Sequence, residues 1–238
     1  MIPLILAQGD DFFRDRTTGV SQCVRDDGVC PRWIADNFDR YVTPFGQHVV
    51  LTVVSVAIGF LIALGFALVA HRRRWLVGPI TGFTGILYTI PSLSAFFILQ
   101  PITGRGTTTA VIALVAYTLL IIFRNITLGL DGVPEEARDA ARGMGYSDRQ
   151  LLWKVELPLA VPEIIAGLRI ATVSTVALAT LAVFAGGGGL GDPIYADLTF
   201  KTNVVIAGGL AILMAIAFDA LLVVAQRFVI PWRRARPV

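Results

Sequence analysis

Long, nearly uninterrupted apolar stretches are the feature that most restricts what this chain can fold into. Five of them lie at about residues 49–70, 75–100, 107–130, 164–185 and 204–225. A helix of roughly 20 apolar residues crosses the hydrocarbon core of a bilayer, and none of the stretches alternates as a membrane barrel strand does. Overall, 55% of the residues are apolar and only 16% are charged, which excludes a soluble domain, a disordered chain and a disulfide-stapled secreted fold. The sequence therefore predicts an all-α, polytopic membrane bundle of about five transmembrane helices.

The distribution of basic residues predicts the orientation of this bundle. The loop after the first stretch, the 131–163 loop and the tail 228–238 each carry three or four Lys and Arg residues, whereas the two short loops of the opposite side hold only Arg105 and Lys201. Loops rich in Lys and Arg stay in the cytoplasm. We therefore expect a cytoplasmic 131–163 loop and C-terminus, and an N-terminus outside. The basic clusters adjoin apolar stretches, which indicates contact with the anionic lipid bilayer and not with nucleic acid.

Residues 1–46 are expected to form an extracytoplasmic segment that is partly disordered or lies at the membrane interface. Cys23 and Cys30 both fall in this segment, on the oxidising side of the membrane. A disulfide between them and a pair of free thiols are both compatible with this placement. A zinc site is not expected, because no second Cys/His pair accompanies them, and no other metal site is predicted.

The 131–163 loop has the pattern of two short helices joined by a glycine hinge. Pro134, followed by two glutamates, is typical of a helix start, and Gly145 lies where that helix ends. Ser147 with Gln150 three residues later forms a capping box that predicts a second helix, which Pro158 is expected to close. An ordered loop of this length predicts a binding function.

The same loop resembles the EAA loop of the permeases of ABC importers. The family pattern is Glu-Ala-Ala, three residues, Gly, nine residues, an aliphatic residue, one residue and Leu-Pro. Residues 139–158 fit this spacing throughout, with Asp139 in place of the glutamate. Residues 88–93, 123–125 and 188–194 resemble the osmoprotectant branch of that family, which imports glycine betaine, choline or carnitine. The resemblance covers about residues 47–227.

The resemblance implies the type I ABC importer permease fold in the cell membrane of a prokaryote. Two permease subunits, identical or paralogous, would form the path, with ATPase subunits inside and a solute-binding protein outside. The chain has no Walker motif, so it is not expected to be an enzyme or to hold a cofactor, and ATP and Mg would bind the partner ATPase. The residues implied in coupling are Asp139, Ala140, Ala141, Gly145, Leu151, Leu152, Trp153, Leu157 and Pro158. Leu151, Leu152 and Trp153 are expected to share one face of a docking helix; the alternative is an amphipathic helix on the inner leaflet.

Pro91 lies well inside the second apolar stretch, where it removes a helical hydrogen bond. Broken helices at membrane depth often line transport paths, although a kinked structural helix is an equally good interpretation. Tyr88 and Ser92 flank the proline. A quaternary ammonium solute would bind an aromatic face, and Tyr88, Tyr117 and Tyr195 are the candidates.

Arg124, Arg169 and Asp219 are the ionisable residues inside the apolar stretches, at similar depths from the cytoplasmic side. Because isolated charges are costly in lipid, we expect Asp219 to pair with Arg124 or Arg169. A structural ion pair is favoured over a proton relay.

The sequence thus predicts a permease subunit of an ATP-driven importer for compatible solutes, working by alternating access. The same machine carrying another small solute, such as an amino acid, is one alternative. A receptor or scaffold whose loop binds a non-ATPase partner is another. A membrane-embedded enzyme is disfavoured, because the only histidines, His48 and His71, lie at the ends of apolar stretches.

The orientation can be tested with a membrane-impermeant cysteine reagent on intact cells. Single cysteines in residues 186–202, and the native cysteines in residues 1–46, should react from outside. Cysteines in residues 131–163 should react only after the membrane is opened. Labelling of the 131–163 loop from outside would overturn the orientation.

Overall fold

The computed structural model describes residues 29–196 and 198–229, and every regular element in them is helical. The α-helices are α1 (Pro31–Asp36), α2 (Asp39–Arg72), α3 (Val77–Thr89), α4 (Ser92–Thr103), α5 (Thr107–Asp131), α6 (Glu135–Gly143), α7 (Asp148–Leu151), α8 (Leu157–Ala179), α9 (Gly191–Ala196) and α10 (Lys201–Val229). Short 3-10 helices precede α3 and follow α8, and a π-helical turn, Leu152–Glu156, joins α7 to α8.

Four helices are long and apolar enough to cross a membrane: α2, α5, the continuous Asp148–Ala185 helix and α10. The second predicted stretch is not one straight helix. It is divided into α3, with its preceding turn, and α4, which meet at 96° on either side of Pro91 and form a broken span or a re-entrant loop. The residue before the proline, Ile90, has an extended backbone, as expected because the proline ring disfavours the helical conformation there.

The prediction that Pro158 closes the second loop helix is wrong. A π-helical turn accommodates the proline within the helix. In this turn the Leu157 N–H bonds to the carbonyl of Leu152, five residues back. This wider turn lets α7 continue into α8, so that Asp148–Ala185 is a single helix of 38 residues.

The first apolar helix begins at Asp39, well before the predicted start at residue 49, and residues 29–46 are largely helical. Trp33 of α1 packs edge-on against Phe200, with ring centroids 4.8 Å apart. The Tyr41 hydroxyl donates a hydrogen bond to the Asn203 side chain. Cys30 is buried at the start of α1. Cys23 lies outside the described residues, so its pairing with Cys30 stays a prediction.

Helix α5 is the centre of the bundle and packs against α2, α3, α4 and α8. Its contact with α2 is close because small residues repeat along α2: Ser55, Gly59, Ala63 and Ala67 are all buried. At Gly59, an added Cβ atom would lie 1.9 Å from the Thr118 hydroxyl oxygen. The α2 and α5 backbones can therefore pack this closely only because Gly59 has no side chain.

We therefore expect Gly59→Ala to destabilise the bundle by about 1–3 kcal/mol, the usual cost of overpacking a core. Gly65→Ala is the matched control on the same helix, because nothing lies within 4 Å of an added Cβ there. Thermal unfolding of the purified chain in detergent should show a lower midpoint for the first variant alone. Equal midpoints would contradict the close α2–α5 contact.

Candidate functional site

The glycine hinge of the 131–163 loop is a helix-terminating motif with defined hydrogen bonds. Gly145 has a φ of +80°, which glycine adopts without strain. Its N–H bonds to the Arg142 carbonyl at 2.9 Å, and the N–H of Tyr146 bonds to the Ala141 carbonyl at 3.1 Å. These two bonds form a Schellman motif, which ends α6 and reverses the chain.

The capping box predicted at the next helix start is confirmed. The Ser147 side chain accepts from the N–H of Gln150, and the Gln150 side chain accepts from the N–H of Ser147. On the neighbouring surface, the Lys154 ammonium lies 5.6 Å from the centre of the Tyr146 ring. The loop is therefore an ordered structure whose turns are stabilised locally.

The three apolar residues predicted to share a docking face do not share one. Leu151 and Leu152 are buried against the bundle, whereas Trp153 is 55% exposed. Consecutive helical residues lie about 100° apart around the axis, so three in a row cannot occupy one face. Asp139, Ala140 and Gly145 are exposed, Ala141 is buried, and Leu157 and Pro158 are half-buried. The large exposed apolar side chains near the hinge are Trp153 and Met144, and Met144 is not among the coupling residues predicted from the sequence.

A buried ionic network attaches the loop to the bundle. Glu156, only 4% exposed, accepts a 2.8 Å hydrogen bond from Arg138 Nε of α6, and its other oxygen lies 2.9 Å from His71 Nε2 at the end of α2. Arg138 also donates to the Leu130 carbonyl at the end of α5, at 2.8 Å. No local pattern in the sequence predicts this network, because the partners of Glu156 lie 18 and 85 positions away.

Hydrogen bonds between Arg138 and its acidic neighbours shift the pKa values of Arg138 and Glu135 in favour of their charged forms. Burial opposes its charged form, but hydrogen bonds to Glu156 and Glu135 leave the pKa of Arg138 above its usual value. The hydrogen bond from Arg138, opposed by burial and aided by Arg142, holds the pKa of Glu135 below its usual value. Arg138 and Glu135 therefore remain ionised at neutral pH, and their ion pair persists under physiological conditions.

The break at Pro91 borders a cavity of about 280 Å³ near the middle of the bundle. Four of the five predicted path residues line it: Tyr88, Pro91, Ser92 and Tyr117. The centroids of the two tyrosine rings are 5.9 Å apart with the ring planes inclined by 66°, and the Tyr117 hydroxyl donates to the carbonyl of Ile90 at the break. That volume is close to the lower end of small-molecule pockets, about 300 Å³.

Hydroxyl-bearing residues of α5 and of one further helix, α8, complete the cavity wall: Thr118, Ser174 and Thr175. These residues do not stand out in the sequence, because isolated Thr and Ser are common in membrane helices. Tyr195 does not line this cavity. It lies on α9, with its ring 5.1 Å from that of Phe184.

Asp219 pairs with one of the two arginines offered by the sequence. Arg169 Nε and Nη2 donate to the two Asp219 carboxylate oxygens at 2.7 and 2.9 Å, a bidentate pair that joins α8 to α10. Both side chains are about one-third exposed, at 35% and 36%. Arg124 lies apart from them on α5, is exposed, and forms no ion pair within the described part of the chain.

A double-mutant cycle tests this pairing. Asp219→Ala should reduce the yield of folded protein in the membrane, since it leaves Arg169 without its partner. Adding Arg169→Ala should partly restore the yield, so that the two effects are non-additive. The matched control is Arg124→Ala, whose effect should add to that of Asp219→Ala. Additivity in both cycles would mean that the ion pair contributes nothing to folding.

Known proteins resemble this chain along most of its length. Residues 55–234 match the family described as "Binding-protein-dependent transport system inner membrane component". A choline transport system permease protein of Bacillus subtilis is 38% identical over 189 residues, covering 78% of this chain and 86% of that protein. A glycine betaine/carnitine/choline transport system permease protein of the same organism is 36% identical, covering 78% and 87%. An osmoprotectant import permease protein of Salmonella typhimurium is 34% identical, covering 80% and 92%.

Solved structures share the fold. The MetNI methionine ABC transporter in an inward-facing conformation superposes with a TM-score of 0.65 at 23% identity, covering 76% of this chain and 94% of that one. An amino acid ABC transporter superposes with a TM-score of 0.68 at 20% identity, covering 84% and 98%. The helical importer-permease fold and the resemblance seen in the sequence are thereby confirmed. The chain belongs to the family of inner membrane components of binding-protein-dependent transport systems.

Proposed function

We propose that this permease subunit imports compatible solutes that carry a quaternary ammonium group, such as glycine betaine, carnitine or choline. The observation that carries this proposal is the cavity at the Pro91 break, where the rings of Tyr88 and Tyr117 meet. The electron-rich faces of aromatic rings attract such cations even though the cation cannot donate a hydrogen bond. The names of the relatives support the same solute class.

The energy for transport would come from partner subunits. We infer that ATPase subunits, which bind ATP and Mg, contact the 131–163 loop from the cytoplasm. In this orientation the N-terminus lies outside. A second permease subunit, identical or paralogous, would complete the path, and a solute-binding protein would deliver solute from outside. The exposed Asp139, Trp153 and Met144 surround the hinge and supply a surface for the ATPase.

Two features of the chain would carry motion from this loop to the cavity. The first is the continuous Asp148–Ala185 helix, which bears loop residues at its start and the cavity residues Ser174 and Thr175 two-thirds of the way along. The second is the Glu156 network, which joins α6 to the ends of α2 and α5. Movement of α6 would therefore move the helices around the cavity together, as alternating access requires.

An amino-acid solute is the runner-up within the same class of transporter. The structural neighbours named for amino acids are under 25% identical, and they support the fold alone. An amino acid carries an ammonium group that donates hydrogen bonds, whereas the aromatic pair of the cavity suits a cation that has none to donate. This chemistry favours a quaternary amine.

Uptake of labelled solutes tests the proposal. Vesicles reconstituted with the permease, its ATPase and its binding protein should accumulate glycine betaine, carnitine or choline when ATP is supplied on the ATPase side. An equimolar amino acid should not compete. Accumulation of an amino acid but of none of the three amines would contradict the proposed solute class.

Gly145→Val should uncouple ATP hydrolysis from transport. A β-branched residue at a φ of +80° strains the backbone by about 1–3 kcal/mol, so the hinge should open and α6 should lose its orientation. Gly143→Val is the matched control, because that glycine is helical and an added Cβ meets nothing within 4 Å at either position. Vesicles with the first variant should hydrolyse ATP with little uptake, and those with the second should do both. Normal uptake by Gly145→Val would contradict a role for the hinge.

A further inference from the structure

Arg124 lies on the same face of α5 as the cavity. Tyr117, Ile121, Arg124 and Leu128 are spaced by four, three and four residues, which places them on one side of a helix with 3.6 residues per turn. Tyr117 and Ile121 line the cavity. Arg124 and Leu128, further along the same face, are exposed. The cavity wall therefore continues along α5 toward its Asp131 end as an uncovered strip that carries one positive charge.

The spacing brings the guanidinium within range of the cavity. Arg124 lies seven positions after Tyr117, or about 10 Å along the helix axis. Side chains on a helix lean toward its N-terminus, which for Arg124 is the direction of Tyr117. A small solute at the tyrosine pair could therefore reach the arginine after a short movement.

Arg124 has no carboxylate partner among the described residues, unlike Arg169 and Arg138. Arg169 is paired with Asp219, and Arg138 with Glu156. Asp131, the nearest acid on α5, is paired with Arg74. Within the described residues Arg124 forms no ion pair. A charge at this depth is costly in lipid and normally faces protein or a water-filled path, and a free guanidinium in such a path binds carboxylates through two parallel hydrogen bonds.

We propose that Arg124 binds the carboxylate of a zwitterionic solute on its way from the tyrosine pair to the cytoplasm. This inference rests on the proposed function. Glycine betaine and carnitine carry a quaternary ammonium group and a carboxylate, whereas choline carries only the ammonium group. Arg124 is then a specificity-determining residue, which favours zwitterions in the path itself, and its positive charge disfavours a solute that is only a cation.

The test compares solutes within one variant. In vesicles holding the complete importer, Arg124→Gln should lower the uptake of glycine betaine relative to choline by about tenfold or more, the effect of losing a charge-assisted hydrogen-bonded contact. Arg124→Lys keeps the positive charge and should restore part of the ratio. Leu128→Gln introduces the same amide one turn further along the same face and should leave the ratio unchanged. The amount of each variant in the vesicles is measured by immunoblot, so that poor insertion does not count as lost selectivity.

Three results would overturn the proposal. Equal loss of glycine betaine and choline uptake in Arg124→Gln would assign the arginine a general structural role. Unchanged uptake of both solutes would place it outside the path. If the wild-type importer takes up neither solute nor carnitine, the proposed function fails, and this inference fails with it.

Discussion

The close packing of α5 against its neighbours is the constraint on which the rest of the structure depends. Gly59 of α2 meets Thr118 and Gly167 of α8 meets Asn125 at distances that leave no room for a side chain, and an added Cβ at Gly129 of α5 would lie only 3.0 Å from the Ala160 carbonyl oxygen. In a membrane, where lipid is as apolar as a leucine side chain, such close contacts are a main source of helix association. They hold α2, α5 and α8 together, and the cavity lies where α3 and α4 close over α5 and α8.

Two prolines in similar apolar surroundings have opposite effects. At Pro91 the helix stops, the chain turns by 96°, and the Tyr117 hydroxyl bonds to the exposed carbonyl of Ile90. At Pro158 the helix continues, because a π-helical turn shifts the hydrogen bonds by one residue. The first change borders the cavity, and the second keeps part of the loop and a membrane helix in one continuous helix.

The ionisable residues fall into two groups with different consequences. Arg138 and Glu156 form a buried ion pair that a hydrogen bond extends to His71, and Arg169 with Asp219 forms a half-buried bidentate pair, so these contacts fix helices relative to one another. Buried charges that are paired and hydrogen-bonded avoid the large penalty of isolated ones. Arg124, exposed on the strip beside the cavity, does not serve this purpose, which makes it available for a ligand.

The sequence by itself determined the elements that depend on local chemistry. Apolar stretches of sufficient length specify membrane helices, the Ser147–Gln150 capping box specifies a helix start, and the EAA spacing identifies the family. Pairings between distant residues were decided only by the tertiary structure. The choice of Arg169 over Arg124 for Asp219, the attachment of Glu156 to His71, the burial of Leu151 and Leu152, and the separation of Tyr195 from the other tyrosines all belong to this group. Such pairings depend on the rotation and register of whole helices, which are set by the summed packing of many residues, and no local pattern in the chain encodes that sum.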